Sequence, residues 1–293
     1  MDDVCIYTLP SLTMFFKTFL LRLRCLVETI MSHTVSSDAD FFFPTVEFIG
    51  GVEYWAQSAL YDPIASPIAA TSTVTSVSHY KERQDACHEF VVVDIAVAPD
   101  NKIALIITDR GPDRNELSSS SPMPFVSPST SKGSRSKATF IHAVKSNDRV
   151  MVAPEGTRAH TLLLMQEKFK DYCLVSTLDF SQSPTRMTAA QVAVILKVTH
   201  TCGGQYAANG KSCYWYAFTI MEAIRTRWEA KEIEGEDFKD KSRIWGKKMD
   251  VEGSVNTVLL CYDEKWANHM QHVQKKEVIF LLLFHLMTEF EVL

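Results

Sequence analysis

Hydrophobic and polar positions change their period several times along this 293-residue chain, and each change marks an element. Residues 52–61 place Tyr54, Trp55, Leu60 and Tyr61 at helical spacing, directly after the break Gly50-Gly51. The Thr, Ser and Val stretch 69–77 reads as a loop or a weak strand. Residues 88–98 (HEFVVVDIAVA) and 103–109 (IALIITD) are β-branched runs separated by the turn residues PDNK. They predict a β-hairpin, and their apolar character on both faces makes it central and covered. Short strands are expected at 140–144, 149–152 and 174–180, with a helix over 161–172. A helix follows Thr188, a candidate N-cap before AAQVAVILKV. After Asn209-Gly210, Ser212 is a candidate N-cap for SCYWYAFTIMEAIRTRW. There Tyr214, Ala217, Phe218, Met221 and Ile224 or Arg225 share one face. A charged linker, 229–241, precedes a last helix over 255–276.

Two kinds of segment fall outside this pattern. Residues 117–137 hold nine serines and three prolines in 21 positions, too polar for a core, and read as a mobile insertion within the domain. The ends, 1–39 and 278–293, differ in composition from the middle. In 1–31, Asp2 and Asp3 precede the apolar stretch, and Lys17, Arg22 and Arg24 interrupt it. The segment therefore fits neither a secretory signal nor a membrane span. It reads as a core helix, a basic amphipathic surface helix, or joined upstream sequence, with Met31 as an alternative start. VIFLLLFHLM near the C-terminus is too short to span a bilayer. It is expected as a last helix or an exposed apolar tail. The expected architecture is thus one α+β domain over 40–277, with a small, mainly antiparallel sheet packed on helices.

Charge narrows the partners. Thirty basic and 35 acidic residues give a net charge of -5, which argues against a nucleic-acid binder. Seven scattered cysteines with no CxxC pair suggest reduced thiols and an intracellular, cytoplasmic setting rather than a disulfide framework. Cys87-His88, His200 with Cys202, and His269 with His272 do not complete a zinc signature. Residues 208–212 (ANGKS) lack the first glycine of a phosphate loop. No cofactor or metal is expected, and substrate, protein partner and oligomeric state stay open.

The candidate chemistry lies at Cys213. A helix N-terminus favours negative charge and so favours a thiolate, and its unpaired N–H groups can serve an oxyanion. His88 opens the first hairpin strand, 125 residues upstream. Asp109, ending the second, is the first candidate for an orienting group, with Asp94 second. The order of a strand histidine before a helix-opening cysteine resembles circularly permuted papain-like enzymes of the lecithin–retinol acyltransferase kind. Tyr214-Trp215-Tyr216 stands where those enzymes carry their own motif. HEFVVVDIA, IALIITDR and QYAANGKSCYWYAFTI resemble an uncharacterised protein family of mushroom-forming fungi over about residues 88–266. That resemblance implies a domain and no particular reaction. The permuted-enzyme resemblance implies a thiol hydrolase or acyltransferase, with Cys213 as nucleophile, His88 as base and Asp109 as orienter. The competing expectation is an interaction or scaffold protein whose Cys213 is an inert packed thiol, His88 a strand-end residue and Asp109 a turn residue. The two expectations part on geometry. Catalysis requires the sulfur beside the imidazole and open to a pocket, whereas a sulfur buried far from the ring favours the binding module.

Overall fold

The computed structural model describes residues 41–83, 88–113, 144–207, 211–241, 243–244, 247–248 and 251–291. The expectations for 1–39, the Ser-rich 117–137, most of the 140–144 strand and the turn 208–210 lie outside them. The elements in chain order begin with β1 (Phe48–Gly51), α1 (Val52–Tyr61), α2 (Ala65–Thr71), β2 (Thr73–Glu82) and β3 (Glu89–Val97). They continue with β4 (Lys102–Pro112), β5 (Ser146–Val152), α3 (Arg158–Phe169), β6 (Tyr172–Asp179) and α4 (Ala189–Gly203). The last are α5 (Cys213–Trp228), β7 (Lys231–Glu234), the two-residue strands β8 (Arg243–Ile244) and β9 (Lys247–Lys248), and α6 (Glu252–Glu291). Seven strands form one sheet in the order β1-β5-β4-β3-β2-β6-β7, and each neighbouring pair is antiparallel. The fold is α+β.

The expected hairpin is the centre of this sheet. Every residue of β3 is buried, because the strand carries apolar side chains on both faces and both faces are covered. Val91, Val93, Ile95, Ala104 and Ile106 belong to a large core with α1, α4 and α5. Phe90, Val92, Leu105, Ile107 and Met151 face the other way, onto Leu164, Met165 and Phe169 of α3. At the hairpin loop Asn101 takes φ 57°, a left-handed conformation that asparagine tolerates. α4 begins as the sequence predicts: the Thr188 hydroxyl accepts from the Gln191 N–H, and the Gln191 side chain accepts from the Thr188 N–H at 2.8 Å.

Three regions differ from expectation. The weak strand at 69–77 divides into α2, ending at Thr71, and the ten-residue strand β2. Its polar residues are tolerated inside the sheet because they find partners: Ser78 with Thr177 at 2.9 Å and His79 with Glu89 at 2.8 Å. The charged linker supplies β7, a short edge strand whose Lys and Glu side chains suit an unpaired edge. The last helix runs from Glu252 through to Glu291.

The chain divides into two compact units, 39–269 on the one hand and 1–38 with 270–293 on the other. The first contains the sheet and all elements through the first part of α6. Of the second, the described part is helical, and its Val278, Ile279, Leu281, Leu282 and Phe284 are more than half exposed. No helix among the described residues is long and apolar enough to cross a membrane.

Phe90 anchors the smaller core. It is wholly buried and stacks on Phe169 at 3.9 Å and on Tyr80 at 5.4 Å. Phe90→Ala is expected to destabilise the fold by about 3–5 kcal/mol, read as a lower urea midpoint at unchanged slope. A loss below about 1 kcal/mol would show that α3 is not packed on the sheet through this ring.

Candidate functional site

The site forms where β3 starts and β4 ends. The register pairs Phe90 with Asp109 and Asp109 with Arg149, so His88, one residue before β3, lies beside the Asp109 carboxylate. His88 Nε2 is 3.0 Å from Asp109 Oδ2. Asp109 is wholly buried, and Arg149 donates to both of its oxygens, through Nε at 3.0 Å and through Nη2. Two cationic neighbours thus compensate one buried carboxylate, the condition under which such a charge can be kept. The His88 ring lies nearly parallel to Phe169, centroids 5.7 Å apart. It is 21% exposed and, with Arg149, Phe169, Lys168, Glu82 and Asp113, lines a cavity of about 590 Å³.

The next residue of β4 points to the opposite face, as strand alternation requires, and fixes the other half of the site. Arg110 is wholly buried. Its guanidinium donates to Asp148 Oδ2 at 2.6 Å, to the Gly204 carbonyl at 2.7 Å and to the Lys211 carbonyl at 3.0 Å. Asp148 also meets His200 Nδ1 at 2.8 Å, and Ser146 Oγ donates to the Gly204 carbonyl at 2.9 Å. Arg110 therefore ties together both ends of the turn that joins α4 to α5. Gly203 is required by this closeness: a Cβ there would meet the guanidinium at 2.3 Å. Gly204, at φ 57°, then reverses the chain out of α4. Further along α5, the Tyr216 hydroxyl bonds Thr108 Oγ1 at 3.0 Å, which seats the helix on β4.

Cys213 opens α5, where the helix dipole is positive, and is 4% exposed. Ser212 holds the N-cap position, but its hydroxyl makes no capping bond and is buried without a partner. The thiol meets two groups. The Cys213 side chain lies close enough to the His88 imidazole and to the Tyr206 hydroxyl to help raise the pKa of each. The structure thus joins His88 to Asp109 by a hydrogen bond and places Cys213 near the same imidazole. It also buries the sulfur, which is not among the residues lining the cavity beside His88.

Burial alone would disfavour a charged imidazole, but Asp109 and then Cys213 outweigh it and hold the His88 pKa up to about 10. Burial likewise opposes the Asp109 charge, yet its hydrogen bonds from His88 and Arg149 hold that carboxyl below its ordinary range. Tyr206 is raised, first by burial and then by the Cys213 sulfur.

The other sequence candidates lie elsewhere. Asp94 is bound by Arg158 at 2.7 Å and takes no part in this arrangement. His200 is a partner of Asp148. Among the described residues no group of three or more His, Cys, Asp or Glu side chains could hold a metal ion. Sequence reasoning missed Tyr206 and Arg110. Tyr206 follows a double-glycine turn with no periodic neighbours, and Arg110 sits at a strand end where a solvated charge is the usual outcome. No family model matches this chain, and no match is found among the curated proteins or the solved structures.

A folded-state His88 pKa raised above that of the unfolded chain stabilises the fold fully below about pH 6.5. That contribution declines above this pH and is lost as the pH rises through about 10. The lowered Asp109 pKa works in the other direction: its contribution is present above the ordinary carboxylate range and is lost on acidification. By NMR, the His88 ring signal is expected to stay in its protonated position through neutral pH, and Asp109→Asn should move its midpoint down by more than one unit. A His88 that titrates near 6.5 in the unaltered protein would contradict the geometry.

Proposed function

We propose that the protein is a thiol hydrolase or acyltransferase acting on an amide, ester or thioester carbonyl, with Cys213 as nucleophile, His88 as proton carrier and Asp109 as orienter. The observation that carries this reading is the pair Asp109 Oδ2–His88 Nε2 at 3.0 Å, with the Cys213 side chain near enough to the same imidazole to help hold its proton. Three residues distant in sequence converge there at a helix N-terminus. The imidazole holds a proton through neutral pH, and this reading assigns the attack to the thiolate form of Cys213. The sulfur bonds to the carbonyl carbon, and the carbonyl electron pair moves onto oxygen. Collapse expels the leaving group, which takes the proton from His88, and leaves a thioester. Water, or another acceptor, then gives a proton to the now neutral imidazole and attacks the thioester. The acyl group departs, and thiolate and imidazolium are restored. No cofactor is needed for this sequence. The Cys213 N–H, now bonded to the Tyr206 hydroxyl, is a donor available to the oxyanion once that hydroxyl moves aside.

A second reading has its own observation. The Cys213 sulfur is buried, and an enclosed cysteine held by a histidine and a tyrosine also suits a binding module whose inert thiol is part of the packing. Limited iodoacetamide labelling at neutral pH separates the two. The enzyme reading expects Cys213 to be alkylated first among the seven thiols and His88→Ala to slow its labelling at least about tenfold. Labelling of Cys213 only on unfolding, with no effect of the histidine change, would establish the packing role.

A further inference from the structure

We propose that Cys202 and Cys261 are a modification site: a dithiol pair that closes to a disulfide when a low-molecular-weight disulfide acts as oxidant. Their sulfurs are 3.8 Å apart, within hydrogen-bond distance of each other. Both residues are partly exposed, unlike the buried Cys173 and Cys213. They lie on different helices of the same compact unit, Cys202 in the last turn of α4 and Cys261 in the first part of α6. A disulfide bond is about 2.05 Å long, so closure requires the sulfurs to approach by less than about 2 Å, within reach of small side-chain rotations. Access is available from one side. Cys202 lines an open cavity of about 360 Å³ with Lys211, Trp215, Gly253, Ser254 and Thr257. Burial and then Cys261 push the Cys202 thiol up to about 11, and the Lys211 ammonium, bound to the Cys202 carbonyl, offsets this only in part, so exchange calls for alkaline conditions.

The exchange balances in two steps. One thiolate attacks a sulfur of the oxidant, forms a mixed disulfide and expels one small thiolate. The second cysteine, deprotonated, attacks the protein-side sulfur of that mixed disulfide and expels the other. Two electrons pass from the cysteine pair to the oxidant, and the two protons end on the two released small thiols.

The bond would fasten the first residue of the segment that runs through Gly203, Gly204 and Tyr206 to Cys213. Cys202 directly precedes Gly203, packed on Arg110, and the closed loop spans 59 residues. Disulfide formation rests only on the two sulfurs and is independent of the proposed hydrolase.

The full chain, incubated with excess oxidised glutathione at mildly alkaline pH and digested without reductant, should yield a linked Cys202–Cys261 peptide that a reductant separates. The oxidised protein should melt on the order of 5 °C higher than the reduced one. Cys261→Ser should lose both the linked peptide and the shift, leaving Cys202 as a glutathione adduct. Glutathione retained separately on both residues of the unaltered protein, linkage of either to another cysteine, or both thiols recovered unmodified would each overturn the proposal.

Discussion

A buried guanidinium organises this protein. Arg110 has no exposed surface and spends its donors on Asp148 and on the carbonyls of Gly204 and Lys211. A buried ion pair adds little net stability over a well-packed apolar pair, because desolvation offsets the attraction. Removing one partner is different: the remaining charge is stranded in the interior at a cost of about 3–5 kcal/mol. What the arrangement contributes is position. Two backbone carbonyls seven residues apart, one just after α4 and one just before α5, are held to one side chain, which fixes the entry of α5 and with it Cys213.

Strand alternation converts that anchor into a site. Asp109 and Arg110 are neighbours on β4 and face opposite ways. One holds the imidazole from the α3 side, and the other holds the turn that leads into α5. His88, just outside β3, is the group that both halves reach. Its proton is retained because the Asp109 carboxylate and, after it, the Cys213 side chain together exceed the cost of burying the charge. Arg149 then keeps Asp109 ionised, so the arrangement is electrostatically closed at its far end.

Much of this was legible wherever local chemistry and tertiary role agree. The hairpin announced itself through β-branched runs on either side of PDNK, and its two-faced apolarity correctly implied a central position. Helix α1 took the expected bounds with Trp55 and Leu60 buried, whereas Tyr54 faces outward and Ala56 and Ala59 complete the buried face. The pairing of His88 with Asp109 followed from the hairpin, because register alone sets the two side by side. Cys213 was singled out through chain order and helix-terminus chemistry, and the structure places it at the start of α5 near that imidazole. Legibility failed where a polar residue takes a buried role. Arg110 and Asp148 look like surface charges in sequence, and only the converging carbonyls and His200 make them interior. β2 looked weak because its Ser, Thr and His positions show their value only against cross-strand partners. Cys202 and Cys261 sit on helices whose contact no local pattern encodes.

The central claim is that Arg110 sets the distance between Cys213 and His88. The most direct measurement is the NMR titration midpoint of His88 in Arg110→Met, in protein shown by circular dichroism to be folded. Loss of a nearby cation would, by charge alone, raise the midpoint. The account predicts the opposite: the start of α5 loosens, the sulfur withdraws, and the midpoint falls from about 10 toward the value set by Asp109 alone. A midpoint that stays near 10 or rises would mean that Cys213 keeps its place without Arg110, and would contradict the account.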